Sequence, residues 1–322
     1  MTNDRAYLAR SDVDLIETIQ TALDGIDWHS IIPQNSKVFI KTNLTWPSYK
    51  PGVTTSPLVI DAFLSVLKRR TDAIYLCESD KGYLNQSCIE SLRGNGLDEI
   101  LQRHGVSFVN LSEMPVREVT DTVRGKEIKI PLPEPLLGDD VIFISMPVLK
   151  THSLTGISAG MKNQYGCVQH AVLPLYHHMI NEVLAVANRH LNPRLVVVDA
   201  TYAQDGNGPF FGQPVLMDTL IVTNGIRASE PVACALMGID MDQVPHLKFA
   251  REEGLVAGIE DVELNADIKD FAAWSFKDTR TWLNQFSYLV FRRYWLSKLV
   301  YDSPLTGLAY AAANILRRKK IG

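Results

Sequence analysis

The sequence predicts an α/β fold: a mainly parallel sheet with helices on both faces, plus a helical C-terminal extension. Three observations carry this. Segments 140–146 (DVIFISM), 195–199 (LVVVD) and 220–223 are almost wholly apolar, as strands covered on both faces are. Shorter β-branched and aromatic runs alternate with helical patterns, the rhythm of βαβ units. The chain is 322 residues long, 46% hydrophobic and 21% charged, which suits one large globular domain or two modest ones. That balance excludes a wholly disordered chain, a collagen-like repeat and a polytopic membrane protein.

The elements follow in order. Ser11 is placed to cap a helix over 11–25, with Val13, Ile16, Ile19 and Leu23 on one face and Gly25 as its stop. KVFIK (37–41) reads as a strand, and a turn-rich stretch with Pro47 and Pro51 follows. Ser56-Pro57 opens a helix to about residue 70, serine as cap and proline in the first turn. AIYLC (73–77) is the next strand and ends at Glu78-Ser79-Asp80. Residues 89–104 are expected helical and 106–111 a strand. A hairpin over 122–130 turns at Gly125. Beyond the three apolar strands, 231–237 and 244–253 read as helices. The loops after Ile40, Cys77 and Met146 lie at strand carboxyl ends, where open α/β sheets gather functional groups.

With 32 basic and 36 acidic side chains the net charge is −4, so no nucleic-acid partner is expected. Cys77, Cys88, Cys167 and Cys234 form no C-x-x-C pair, which points to a reduced, cytoplasmic setting. The N-terminus lacks the basic and apolar regions of a signal peptide, and no apolar run is long enough to span a membrane. Charge is uneven: residues 280–322 carry +7 and the other 279 residues −11. We divide the chain into an α/β domain, 1–258, and a basic, aromatic extension, 259–322. Helices are expected over 284–300 and 305–318, split at Pro304. Eight aromatics from Trp282 to Tyr310 lie among Arg and Lys. Residues 282–322 therefore suit either an anionic membrane surface at the inner face or a packing and homo-oligomer interface.

The densest chemistry lies in 146–178, MPVLKTHSLTGISAGMKNQYGCVQHAVLPLYHH. It holds Lys150, His152, Lys162, His170, His177 and His178. Histidine ligates metals and moves protons near neutral pH, and a lysine beside it holds an anion or acts as nucleophile. Other candidates flank it. Lys41 and Asn43, with Thr54 and Thr55 before a helix start, suit a phosphate or carboxylate, against the simpler reading of a helix capped by Ser56. Glu78 and Asp80 suit a divalent cation or a ribose, against a solvated turn. Asp199, Asp205 and the glycine-rich turn at 206–209 suit a cation or substrate loop, against a plain turn.

Several phrases resemble a known family, the domain of unknown function 362. They are VFIKTNL with TTSP (54–57), MPVLKTHSLTGISAGMKNQYGC, DATYAQDGNGPFFGQP, and LMGID with VPHLKFAREEGL, together spanning about 37–258. Near Glu230 the chain is shorter than the family pattern, and Glu230 stands where an aspartate is usual. The 146–178 segment is also distantly similar to the nickel-pincer lactate racemases. His152 lies ten residues before Lys162, and His178 sixteen after it. That likeness implies Lys162 as cofactor or anion anchor with Lys150 and Asn163 beside it, and His152 as proton-transfer group. It implies His177 or His178 as ligand to a divalent transition metal; Glu78, Asp80 and Asp205 are further candidates from their own loops. The racemases' other histidine-bearing loop has no counterpart here. The expectation is an isomerase- or racemase-like, metal- or cofactor-dependent enzyme acting on a small anionic hydroxylated metabolite. The alternatives are a non-catalytic metal or metabolite binder and a membrane-docked scaffold.

Overall fold

The computed structural model describes residues 3–11, 14–80, 86–170, 173–277 and 288–303. A ten-stranded sheet forms the frame. Its strands are β1 (Arg5–Arg10), β2 (Lys37–Lys41), β3 (Ile74–Glu78), β4 (Ser107–Asn110), β7 (Val141–Ser145), β8 (Val148–His152), β9 (Gly156–Ser158), β10 (Leu195–Asp205), β11 (Gln213–Thr223) and β12 (Glu263–Leu264). A separate hairpin, β5 (Val116–Val123) and β6 (Lys126–Pro133), turns at Arg124-Gly125 as expected. The main path runs β12-β1-β11-β10-β7-β2-β3-β4, with β8 paired to β10 and to β9.

Among the described residues six of the main sheet's nine pairings are parallel. The antiparallel insertion comes from β10 and β11, which the short 206–212 loop joins as a long hairpin. Strand β1 then pairs antiparallel with β11. RAYLAR (5–10) alternates polar with apolar too briefly to stand out, and it was not expected as a strand.

Period-two alternation splits the core into two layers. Val38, Ile40, Leu76, Val197 and Val222 pack on one face with α1 (Leu15–Gly25), α2 (Trp28–Ile31) and α3 (Pro57–Leu67). Phe39, Cys77, Val196, Val198 and Ile221 pack on the other with α7 (Ile180–Leu191), α8 (Ile226–Met237) and α9 (Pro245–Glu252). This is the expected α/β arrangement, with helices on both faces. The C-terminal helix, Tyr294–Tyr301, overlaps the expected 284–300 region and ends one residue beyond it. The part of that region over 284–287, and the expected helix 305–318, lie outside the described residues. Glu263 and Leu264 join the sheet beside β1. Among the described residues no helix is long and apolar enough to cross a membrane.

Two local expectations are corrected. Asp14, not Ser11, caps α1, accepting from the Ile16 and Glu17 amides at 2.9 and 3.2 Å. Ser11 instead closes β1, its amide donating to Asp218 O at 2.9 Å. The helix expected over 89–104 is broken into α4 (Cys88–Gly94) and α5 (Leu97–His104), because Gly96 takes the left-handed conformation at φ +71°.

Candidate functional site

Strand β2 sits between β3 and β7, so the chain departs from β2 in opposite directions along the sheet. Such a switch point leaves a crevice at the carboxyl ends of the strands. Lys41 ends β2 and Glu78 ends β3. Both are buried, and the Lys41 ammonium lies 2.6 Å from Glu78 Oε1. Glu78 Oε2 accepts from the Leu44 amide at 2.9 Å, and Lys41 also donates to Thr42 O at 2.7 Å. Burial disfavours the Lys41 ammonium, but Glu78, aided by Cys167 and Cys77, more than offsets this and raises its pKa.

The residues expected to hold an anion form a buried polar lattice. Lys150 donates to Asn43 Oδ1 at 3.2 Å and to Val53 O at 2.8 Å. Asn163 donates to Lys41 O at 3.1 Å and to Ser145 Oγ at 3.0 Å. Thr55 Oγ1 accepts from the Asn43 amide at 2.9 Å and donates to Met146 O at 2.8 Å. Thr54 Oγ1 accepts from the Lys50 amide at 3.0 Å. Ser56 makes no side-chain cap. Its amide donates instead to Asp199 Oδ2 at 2.7 Å, so a carboxylate from β10 serves the start of α3. That contact takes the place of the simple serine cap at this helix start. Lys41, Asn43, Thr54, Thr55 and Lys150 thus knit loop to sheet.

A second group of side chains meets beside this lattice. The β8–β9 hairpin carries His152 opposite Gly156, and α6 (Gly160–Asn163) brings Lys162. His177 comes from the 3₁₀ turn Leu173–Met179, and His246 from the first turn of α9. Lys162 and His177 share the Tyr165 ring, and the charge of Lys162 reaches all three imidazoles. Burial pushes the His152 imidazole well below its usual range, and Lys162, Lys150, His177 and His246 push it further. Burial and then Lys162 lower His177 to about 3. The same two causes lower His246 to about 3, slightly opposed by the Thr155 backbone. Three imidazoles are therefore neutral at physiological pH, each under the influence of Lys162.

The tautomer of His152 follows from its partners. Its Nδ1 faces the amides of Leu154 and Thr155 at 3.1 and 3.4 Å and accepts from them, so the proton sits on Nε2. His177 stacks on Tyr165 at 5.2 Å and meets Phe291 edge-on at 4.4 Å. Its Nδ1 is buried without a hydrogen-bond partner among the described residues, as are both ring nitrogens of His246. His178 points outward, its Nδ1 against Leu175 O at 2.7 Å. His177 and the Lys162 ammonium thus both pack on the Tyr165 ring, whereas His178 lies at the surface. The Lys162 ammonium also lies 4.3 Å over the Tyr165 ring.

The expected metal ligands do not converge. Glu78 is paired with Lys41, and His178 is exposed. Asp80 accepts from the Cys88 amide and from Asn110 Nδ2. Asp205 accepts from Trp274 Nε1 at 2.9 Å and the Lys277 amide at 2.7 Å, beside a separate cleft of about 710 Å³. Among the described residues no three His, Cys, Asp or Glu come together to hold a metal. A divalent ion held by His177, His178, Glu78, Asp80 and Asp205 does not fit this arrangement, because local hydrogen bonds draw the carboxylates elsewhere. His170 meets Tyr176 edge-on at 5.1 Å, and neither His170 nor His190 is among the groups shifting the three imidazoles.

Two residues that matter here carried little sequence signal. His246 lies within the quoted phrase VPHLKFAREEGL, but nearly seventy positions after His177. Glu230, inside α8, accepts from the Met161 amide at 2.7 Å and from Ser229 Oγ at 3.1 Å, so it fixes the entry to α6. Its Oε2 is buried without a partner among the described residues, and burial raises its pKa to about 7.

Comparison with known proteins gives the class. Residues 38–235 match the family described as Domain of unknown function (DUF362), and the chain belongs to that family. A relative, the thylakoid-associated protein sll1697 of Synechocystis sp., is 23% identical over 264 residues, 79% of each chain. The lactate racemase apoprotein from Thermoanaerobacterium thermosaccharolyticum is similar over 60% of this chain and 50% of its own, at 13% identity and TM-score 0.41. A protein from Thermotoga maritima is similar over 65% of this chain and 55% of its own, at 14% identity and TM-score 0.41. The chain spans about half the length of both solved structures.

Proposed function

We propose that the chain is an enzyme that binds a small anionic hydroxylated metabolite at the His152–Lys162–His177–His246 cluster and moves a proton on it, in the manner of an isomerase or racemase. One observation supports this above the rest: three neutral imidazoles lie within electrostatic reach of the Lys162 ammonium. A neutral imidazole can accept a proton, and an ammonium beside it favours an anion, whose own charge offsets the repulsion that Lys162 exerts on the imidazoles. Lys162 holds the carboxylate. His152 donates its Nε2 proton as a hydrogen bond to a ligand oxygen. His246 takes the proton from the carbon next to the carboxylate. The pair of electrons left behind spreads onto the carboxylate oxygens, facing Lys162 and His152. Return of the proton to the same carbon from His246, after exchange with solvent, completes the cycle. No step is routed through a metal.

The test is solvent exchange. Full-length protein purified from its native host is incubated in D₂O with a panel of 2-hydroxy carboxylates, and deuterium at C2 is followed by NMR. Intact mass of the same sample reports any group carried on Lys162. At least one acid is expected to take up deuterium, with a loss of about 10²-fold or more in His246→Gln and in His152→Ala. Exchange that survives both substitutions would overturn the assignment. Saturable binding without exchange would make the chain a carrier.

A further inference from the structure

The segment over 288–303 has two unlike faces. Its inner face is packed. Val290 and Ser297 are buried, and Ser297 Oγ donates to Val290 O at 3.0 Å. Phe291 covers His177, stacks on Tyr301 at 5.5 Å, and so closes one side of the histidine cluster. Tyr294 lies 5.2 Å from His178. The outer side chains are apolar and exposed among the described residues: Leu289 is 56% exposed, Trp295 61% and Leu299 45%. Trp295 and Leu299 are one helical turn apart, so they project together. Arg292, Arg293 and Lys298 are exposed around them, against one acid, Asp302.

We propose that this outer face docks on an anionic lipid bilayer, with Trp295, Leu289 and Leu299 entering the interfacial layer and Arg292, Arg293 and Lys298 meeting the headgroups. Charge complementarity selects the occupant. The first 279 residues carry −11, so an anionic surface repels the body and accepts only this end of the molecule. The clustered cations and apolar side chains are the pairing that interfacial helices use. An eight-residue helix is about 12 Å long, too small to supply alone the roughly 800 Å² per partner of a stable protein interface. Docked this way, the molecule holds its histidine cluster directly beneath the segment that touches lipid. The proposal does not depend on the chemistry assigned to that cluster.

Co-sedimentation tests it. The full chain is mixed with vesicles of phosphatidylcholine alone, or of phosphatidylcholine with phosphatidylglycerol. Binding is expected to the anionic vesicles only and to weaken with salt. Reversing the three cations (R292E/R293E/K298E) should weaken it roughly a hundredfold or more, at about a factor of five per charge. Trp295→Ser with Leu299→Ser should weaken it about tenfold or more, with far-ultraviolet dichroism unchanged because both side chains are exposed. Lys298→Glu alone, the mildest change, should move binding in the same direction. No binding to anionic vesicles, or binding indifferent to these substitutions, overturns the proposal. So does a dimer in sedimentation that the Trp295/Leu299 variant converts to monomer without change in vesicle binding, since the occupant is then a second copy.

Discussion

Glu78 keeps its charge out of water because Lys41 lies 2.6 Å away and the Leu44 amide takes its other oxygen. Removing one member of a buried pair leaves the other unpaired in a medium that cannot solvate it. Glu78→Gln should therefore cost about 3–5 kcal/mol in denaturant unfolding, whereas Asp80→Asn, at an exposed position, should cost far less. Glu230 behaves in the opposite sense. Its pKa rises from 4.5 to about 7, so the folded chain holds a proton that the unfolded chain releases. Stability from this group is full below about pH 4.5 and is lost as pH rises to about 7, by roughly 3 kcal/mol in all. The stability difference between the parent chain and Glu230→Gln should follow that slope, and a flat difference would contradict the buried, half-partnered carboxyl. At this scale the sequence showed which residues matter better than what they do. Lys41 was legible as a lysine at a strand end, but its partner lies 37 positions away on β3, and only the sheet brings them together.

Element α6 shows how the lattice and the histidine cluster are joined. Its entry is fixed by Glu230 from α8, and a Cβ on Gly160 would stand 2.5 Å from Ser229 Oγ and 2.8 Å from Glu230 Oε1. Gly160→Ala must push α6 away from α8, carrying Lys162 with it. We expect a stability loss of about 1–3 kcal/mol and a larger loss of ligand binding than of fold. Calorimetric titration beside thermal unfolding would separate the two, and unchanged binding would show that α6 tolerates the shift. Most sheet elements could be read from the sequence. KVFIK, VIFIS and LVVVD are apolar on both faces or alternate cleanly, and each became a strand near its expected position. What failed were features set by distant contacts. The cap of α3 comes from Asp199, and β1 exists because β11 offers it an edge. Neither has a local signature.

At the scale of the molecule, charge and chemistry lie at one end. The basic, aromatic segment over 288–303 roofs the His177 side of the cluster, while the acid-rich body lies behind it. The sequence made the charge asymmetry plain, yet it could not show that the extension touches the histidines, since that contact joins residues over a hundred positions apart. The burial of three imidazoles also sets acid stability. An unfolded imidazole takes up protons below its ordinary 6.5, whereas His177 and His246 refuse them until about 3. Their contribution is thus complete above about 6.5 and is lost as pH falls toward 3, opposite to that of Glu230. The most direct test of the whole account is a pH titration of the ¹⁵N-histidine-labelled chain by NMR, with and without a 2-hydroxy carboxylate. The account predicts that His152, His177 and His246 stay neutral well below the ordinary imidazole range. It also predicts that their resonances move together on adding the acid, and that Lys162→Met abolishes the movement. Three imidazoles titrating near 6.5, or an acid that leaves them untouched, would contradict it.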